Sequence, residues 1–146
     1  MTRSATAALY SPAMLALAVE LADHPLDETS AVQAQTRSRT CGSTVNLSVA
    51  LDGDQCIGAL GLRVSACAVG QAAAAIFARD AIGRDWTAIV AARRDIEDWL
   101  AGTGNRPDWS RLEMLDPALP HPGRHEAILL PWKAAEEALS NAADAR

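Results

Sequence analysis

The stretch that most constrains this chain is an alternation folded back on itself. Val45, Leu47 and Val49 alternate with Thr44, Asn46 and Ser48, the period of two that marks a half-buried strand. Asp52-Gly53 follows, a strong hairpin signal. A return strand is expected over about 55–64, where Gly58 and Gly61 permit a bulge or a close neighbour. Closing the hairpin at Asp52-Gly53 puts position 41 opposite position 64. The run ACAVGQAAAA then turns a corner into a helix over about 68–82, with Gly83 suited to its C-cap. A strand over 43–50, its return and a weaker edge strand over 32–39 make an antiparallel meander.

The rest reads as helices. Ser11-Pro12 is an N-cap with proline at the first helical position, and Met14, Leu17 and Leu21 continue at helical spacing to His24-Pro25. Residues 1–5 are expected to fray. Trp86, Ile89 and Val90, then Ile96, Trp99 and Leu100, give helical turns that stop at Gly102. Trp109, Leu112 and Leu115 suggest a short helix ended by Asp116-Pro117. Ile128, Trp132, Ala135 and Leu139 share one face of a last helix. Pro131 implies a start no earlier than about 127 and as late as about 130, and the end is expected by about 142. Helices on one side of a three-stranded antiparallel sheet make an α+β domain spanning 1–146.

Charge and composition narrow the function classes. Of 146 residues, 13 are basic and 18 acidic, for a net charge of -5. No basic run offers phosphate contacts, which argues against nucleic acid and anionic membranes. No apolar run approaches the ~20 residues that span a bilayer. The N-terminal stretch, interrupted by Tyr10, Ser11, Pro12 and Glu20, reads as a helix and not a signal peptide. Three cysteines, an odd number, suit a reducing cytoplasm better than a disulfide scaffold. There is no phosphate loop, no HExxH and no nucleophile elbow, so no enzymatic activity is expected.

The cysteines hold the remaining chemistry. Cys67 sits at a strand-to-helix corner, where free helix amides favour a thiolate, although a free cysteine is commonly just a small buried hydrophobe. Cys41 precedes the first confident strand, with Gly42 beside it, and the hairpin brings the two toward one end. Paired thiolates suit a soft metal, an iron–sulfur site or a redox pair. Cys56, near the closed end, is expected to be structural. Asp116, His121, His125 and Glu126 are the candidates for further ligands. His24 and the Asp95–Asp98 pair read as solvated groups.

The order TCGS, strand, DGD, strand, LRVSACAVGQAAAA, helix and a last helix containing PWKAAEEAL resembles the SufU/IscU-like (NifU N-terminal) iron–sulfur cluster assembly scaffolds, nearest the SufU type. The resemblance runs from Tyr10 to about Ala142. It implies a SufE/NifU-like α+β fold and a site holding zinc, iron or a nascent [2Fe-2S] cluster. It also implies sulfur supply by a cysteine desulfurase and delivery to a cluster-accepting protein. Cys41 and Cys67 match two of the family's cysteines. Ser43 stands where the family has an aspartate, and Ala127, five residues before Trp132, where it has a third cysteine. Ser65 and Ala66 replace the glycines that lead into the second cysteine. Glu126 and His125 are the substitutes within reach of the vacated ligand position. The expected role is a cluster scaffold with a weakened site at Cys41 and Cys67. The alternatives are a cluster-free regulatory or partner-binding protein, with no group bound because Ser43 and Ala127 replace ligands, and two chains pooling two thiolates each.

Overall fold

The computed structural model describes residues 11–144, so the expected fraying of residues 1–5 lies outside the described residues. Helix α1, Pro12–Val19, runs on as a 3-10 turn over Glu20–Asp23. Ser11 caps it, its Oγ accepting the Met14 amide at 3.2 Å. Strands β1 (Val32–Arg37), β2 (Thr44–Leu51) and β3 (Ile57–Ser65) follow, then helices α2 (Ala68–Ala81) and α3 (Trp86–Leu100). Two 3-10 turns, Leu112–Ala118 and Pro122–Arg124, lead into α4, His125–Asp144. The sheet is antiparallel throughout, in the order β1-β2-β3. Helix α4 packs on β1 and β2 and α2 on β3, while α1 lies against α2 and α3 against α4. The sheet's inward side chains, Val45, Leu47, Val49 and Leu62, are buried beneath these helices.

The two glycines of the return strand do the two things expected of them. Gly58 is the extra residue where the register shifts, with Ala50 opposite Ala59 but Leu51 opposite Ile57. Gly61 admits the chain after α1: a Cβ there would stand 2.1 Å from the Pro25 carbonyl oxygen. That segment crosses the outer face of the sheet. The Leu62 amide donates to the His24 carbonyl at 2.8 Å, and Ser48 Oγ accepts the Asp27 amide at 2.9 Å.

The hairpin closes differently from the Asp52-Gly53 expectation. Residues 52–56 form the connection, and Gln55 takes the positive φ of 66°. The Asp52 carboxylate causes this by accepting the amides of Asp54 and Cys56 at 2.9 and 3.0 Å, so it organises a wider loop. Val45 therefore pairs with Val64, and the midpoint falls between residues 54 and 55. The pairing ends at Thr44 opposite Ser65, so Val64 faces Val45 and not position 41, and Cys41 and Cys67 both lie just beyond the open end.

The last helix also departs from expectation, starting at His125 and ending at Asp144 with Pro131 inside. Pro131 cannot donate to the carbonyl of Ala127, and an interior proline costs about 3 kcal/mol. Residues 127–132 are all buried, and each fully buried Leu or Ile contributes roughly 1.5–3 kcal/mol, so packing outweighs the proline. The turn over Leu112–Ala118 likewise runs through Asp116 and Pro117 instead of ending at them. The core is anchored by aromatics. Phe77 stacks on Trp109 at 6.1 Å, and Trp132 meets both edge-on at 5.5 and 5.3 Å. The Trp109 indole N–H donates to the Ile76 carbonyl at 3.0 Å.

Candidate functional site

The open end of the β2–β3 pair is built by three segments. The first is the β1–β2 connection, residues 38–43. Gly42, at φ 71°, makes a turn that a side chain would strain, and its amide donates to the Ser38 carbonyl at 3.1 Å. Ser38 is buried and accepts the Cys41 amide on its Oγ at 3.3 Å. Cys41 itself is exposed. Its sulfur lies 3.3 Å from Ser38 Oγ and 2.9 Å from Ser43 Oγ. Both hydroxyls can donate to a thiolate, and together they hold the Cys41 thiol below its ordinary pKa; burial and the Glu126 charge oppose them.

The second segment is the corner from β3 into α2. Cys67 is the N-cap residue, half-buried against the hydrophobic core. Its side chain makes no capping hydrogen bond, so the expected amide-to-sulfur contact is not formed. The Gln71 side-chain amide braces the corner by donating to the Ala66 carbonyl at 2.8 Å. The third segment is the first turn of α4. Glu126 Oε1 accepts the Arg39 amide at 2.7 Å, which fastens this turn to the Cys41 loop. Ala127, only 1% exposed, faces the first turn of α2: a Cβ on Gly70 would stand 3.5 Å from the Ala127 Cβ.

The fold thus brings Cys41, Cys67, Glu126 and Ala127 to one corner of the molecule. It does not assemble the four named ligands into one centre. His125 Nε2 lies 3.2 and 3.0 Å from the carbonyl oxygens of Ala118 and Leu119 and is engaged there. Glu126 has one oxygen on the Arg39 amide. Among the described residues, no three His, Cys, Asp or Glu side chains group closely enough to hold a metal ion. Asp116 is paired with Arg106, and His121 Nε2 is buried without a partner. Cys56 sits at the far end of the hairpin, where burial and then the charges of Asp52, Asp85 and Asp54 push its thiol pKa up. Eight residues of strand at roughly 3.3 Å each place that end ~25 Å away.

Sequence reasoning did not single out Ser38, Gln71 or the Arg39 amide. Ser38 stands three residues before Cys41, a spacing at which a serine hydroxyl meets a following amide, and this was the available signal.

Solved structures share this architecture. A nitrogen-fixing NifU-like protein (N-terminal) from Brucella abortus matches at 24% identity and a TM-score of 0.86, over 98% of this chain and 100% of that one. The chain has the NifU–SufU fold. SufU of the thermophile Fervidobacterium islandicum, assigned as an iron–sulfur cluster assembly scaffold for the SUF system, matches at 22% identity and a TM-score of 0.76. It covers 90% of this chain and 96% of that chain. A hypothetical protein matches at 20% identity and a TM-score of 0.65, over 88% and 97%. No family model and no curated protein matches the sequence. At these identities the likeness to the NifU–SufU proteins is one of fold, and the corner described above is this chain's own version of it.

Proposed function

We propose that this chain is an iron–sulfur cluster assembly protein of the scaffold type, without catalytic activity of its own. Cys41 and Cys67 would take iron, sulfur or a nascent cluster as cargo. What supports this reading is that the Cys41 loop, the Cys67 corner and the first turn of α4 lie at one end of the sheet, in a fold shared with NifU-like and SufU proteins. A thiol that ionises readily and faces solvent, as Cys41 does, also suits acceptance of sulfur from a cysteine desulfurase. Three unpaired cysteines fit a reducing compartment such as the cytoplasm.

The donor set does not fit a closed site in one chain. A structural zinc takes four donors and a [2Fe-2S] cluster four cysteines. Here Ser43 is 5% exposed and bonded to Cys41, and Ala127 has no donor atom. Cargo held by two thiols would leave easily, which suits delivery and not storage.

Anaerobic incubation with ferrous iron and sulfide, followed by desalting and iron analysis, tests the reading. Iron retention is expected in the native chain and in Cys56→Ser, and its loss in Cys41→Ser and in Cys67→Ser. Equal retention by all four proteins would remove the two thiols from the account. Ala127→Cys with Ser43→Asp should restore a four-donor set and tighten zinc binding by about tenfold or more. A second reading, a partner-binding protein that carries no cargo, is favoured by the absence of a three-donor group among the described residues. It predicts desulfurase binding with no iron retained by any variant.

A further inference from the structure

The closed end of the hairpin carries a groove that the cargo reading leaves unused. Two hollows of about 390 Å³ each meet there and share Leu51, Gln55 and Ala142 as walls. That size falls within the ~300–1,000 Å³ of small-ligand sites. Leu51, Leu139 and Ala142 give it an apolar lining, and Trp86, 46% exposed, adds an indole. Its charge comes from Asp52, Asp54 and Asp85, and among the described residues no Lys, Arg or His lines it. We propose that this groove binds an arginine side chain of a basic partner segment, the guanidinium stacking on Trp86 and pairing with Asp54 and Asp85. The groove lies at the opposite end of the sheet from Cys41 and Cys67 and does not depend on them.

Charge and geometry select that ligand. None of the three carboxylates is in an ion pair among the described residues, so they repel one another until a cation enters. Burial first, and then the fields of Asp52, Asp85 and Asp54, raise the pKa of the Cys56 thiol, which shows the three charges acting on one place. Asp85 is held at the start of α3, its Oδ1 accepting the Ala88 amide at 2.9 Å, and as N-cap it offsets the positive end of that helix. The last turn of α4 lines the groove through Asn141, Ala142 and Ala143, and the carbonyl end of a helix favours a cation. The molecule already holds a completed arrangement of the same kind. Arg84 Cζ lies 4.0 Å from the centre of the Trp109 ring, and its Nη2 pairs with Asp80 at 3.0 Å. Asp85 and Trp86 come next in the chain and present a carboxylate and an indole to the groove without a cation. A planar guanidinium can stack on an indole while its N–H fork meets carboxylates, which a strongly hydrated ammonium does less well.

The test uses a fluorescein-labelled Gly-Ser peptide carrying two arginines, titrated with the full reduced chain and read by fluorescence anisotropy. Saturable binding is expected, with the lysine form of the peptide weaker and the neutral citrulline form weaker by about tenfold or more. Trp86→Ala should weaken binding by about tenfold, and Trp86→Phe, which keeps a ring, by less. Asp54→Asn with Asp85→Asn should weaken it by about tenfold or more, since asparagine keeps the α3 cap and removes the charge. Asp95→Asn with Asp98→Asn, which removes two charges elsewhere on α3, should bind as the native chain does. Circular dichroism checks the folding of each variant. Equal losses in the two double variants would reduce the binding to net charge and overturn the groove. Equal binding of the lysine form would overturn the choice of arginine. Free arginine amide binding as tightly as the peptide would assign the groove to a small guanidinium compound and overturn the partner segment. No saturable binding of any peptide would overturn the proposal outright, while iron retention by the Cys41 and Cys67 end would be unaffected.

Discussion

Cys41 and Cys56 differ in their neighbours, and those neighbours set opposite directions of ionisation. Hydroxyls of Ser38 and Ser43 stabilise the Cys41 thiolate, whereas burial and three carboxylates disfavour that of Cys56. The thiolate is the form that alkylates, so a lowered pKa moves the rise of rate to lower pH and a raised one moves it higher. At pH 7 Cys41 is therefore expected to react with iodoacetamide before Cys56. Ser38→Ala and Ser43→Ala should each slow Cys41 by roughly threefold or more, since one pKa unit changes the thiolate fraction about tenfold. Glu126→Gln should speed it, because the carboxylate opposes ionisation. Peptide-level mass spectrometry across pH reads all of these. Coincident profiles for Cys41 and Cys56 would show that the serine contacts do not act in solution.

At the scale of elements, the sheet is fastened on both faces by close approaches that small residues allow. Gly61 lets the Pro25 segment lie against β3, and Gly70 leaves room for the Ala66 methyl, which a Cβ there would meet at 2.7 Å. A methyl group at position 61 would meet backbone, which cannot swing aside as a flexible side chain can. Gly61→Ala is therefore expected to destabilise by about 1–3 kcal/mol. For a chain of this length each kcal/mol lowers Tm by about 2–4 °C. Thermal unfolding followed by circular dichroism measures it, and a variant as stable as the native chain would mean that the segment over the outer face is not held there. The glycine pattern in β3 was legible as a bulge or a close neighbour, but Pro25 as that neighbour was not, because the contact joins residues 36 positions apart.

For the whole molecule, one aromatic group joins the layers. Trp132 brings α4 against Phe77 of α2 and against Trp109 ahead of the Leu112–Ala118 turn. Its indole N–H is buried without a hydrogen-bond partner, so its contribution is packing. Trp132→Ala is expected to cost about 3–5 kcal/mol, while Trp132→Phe, which keeps a ring and removes the unpaired donor, should cost less than ~1.5 kcal/mol. Urea unfolding separates the two, and equal losses would show that the N–H has a partner after all.

Local chemistry was sufficient for much of this protein. Alternation over 45–49, the Ser11-Pro12 cap and the helical spacing of the alanine-rich and terminal segments depend on neighbours a few residues apart, and they determined the α+β class from sequence alone. Tertiary structure decided the rest, because it depended on groups distant in the chain or on competing energies. The Asp52 carboxylate widened the hairpin and moved its register, which ended the pairing at Thr44 and Ser65 and left Cys41 and Cys67 just beyond the same end. Burial of residues 127–132 overrode Pro131 and began α4 at His125, which turned that imidazole to backbone carbonyls and gave Glu126 to the Arg39 amide. A ligand's identity is local, but its availability depends on every group that competes for it in three dimensions.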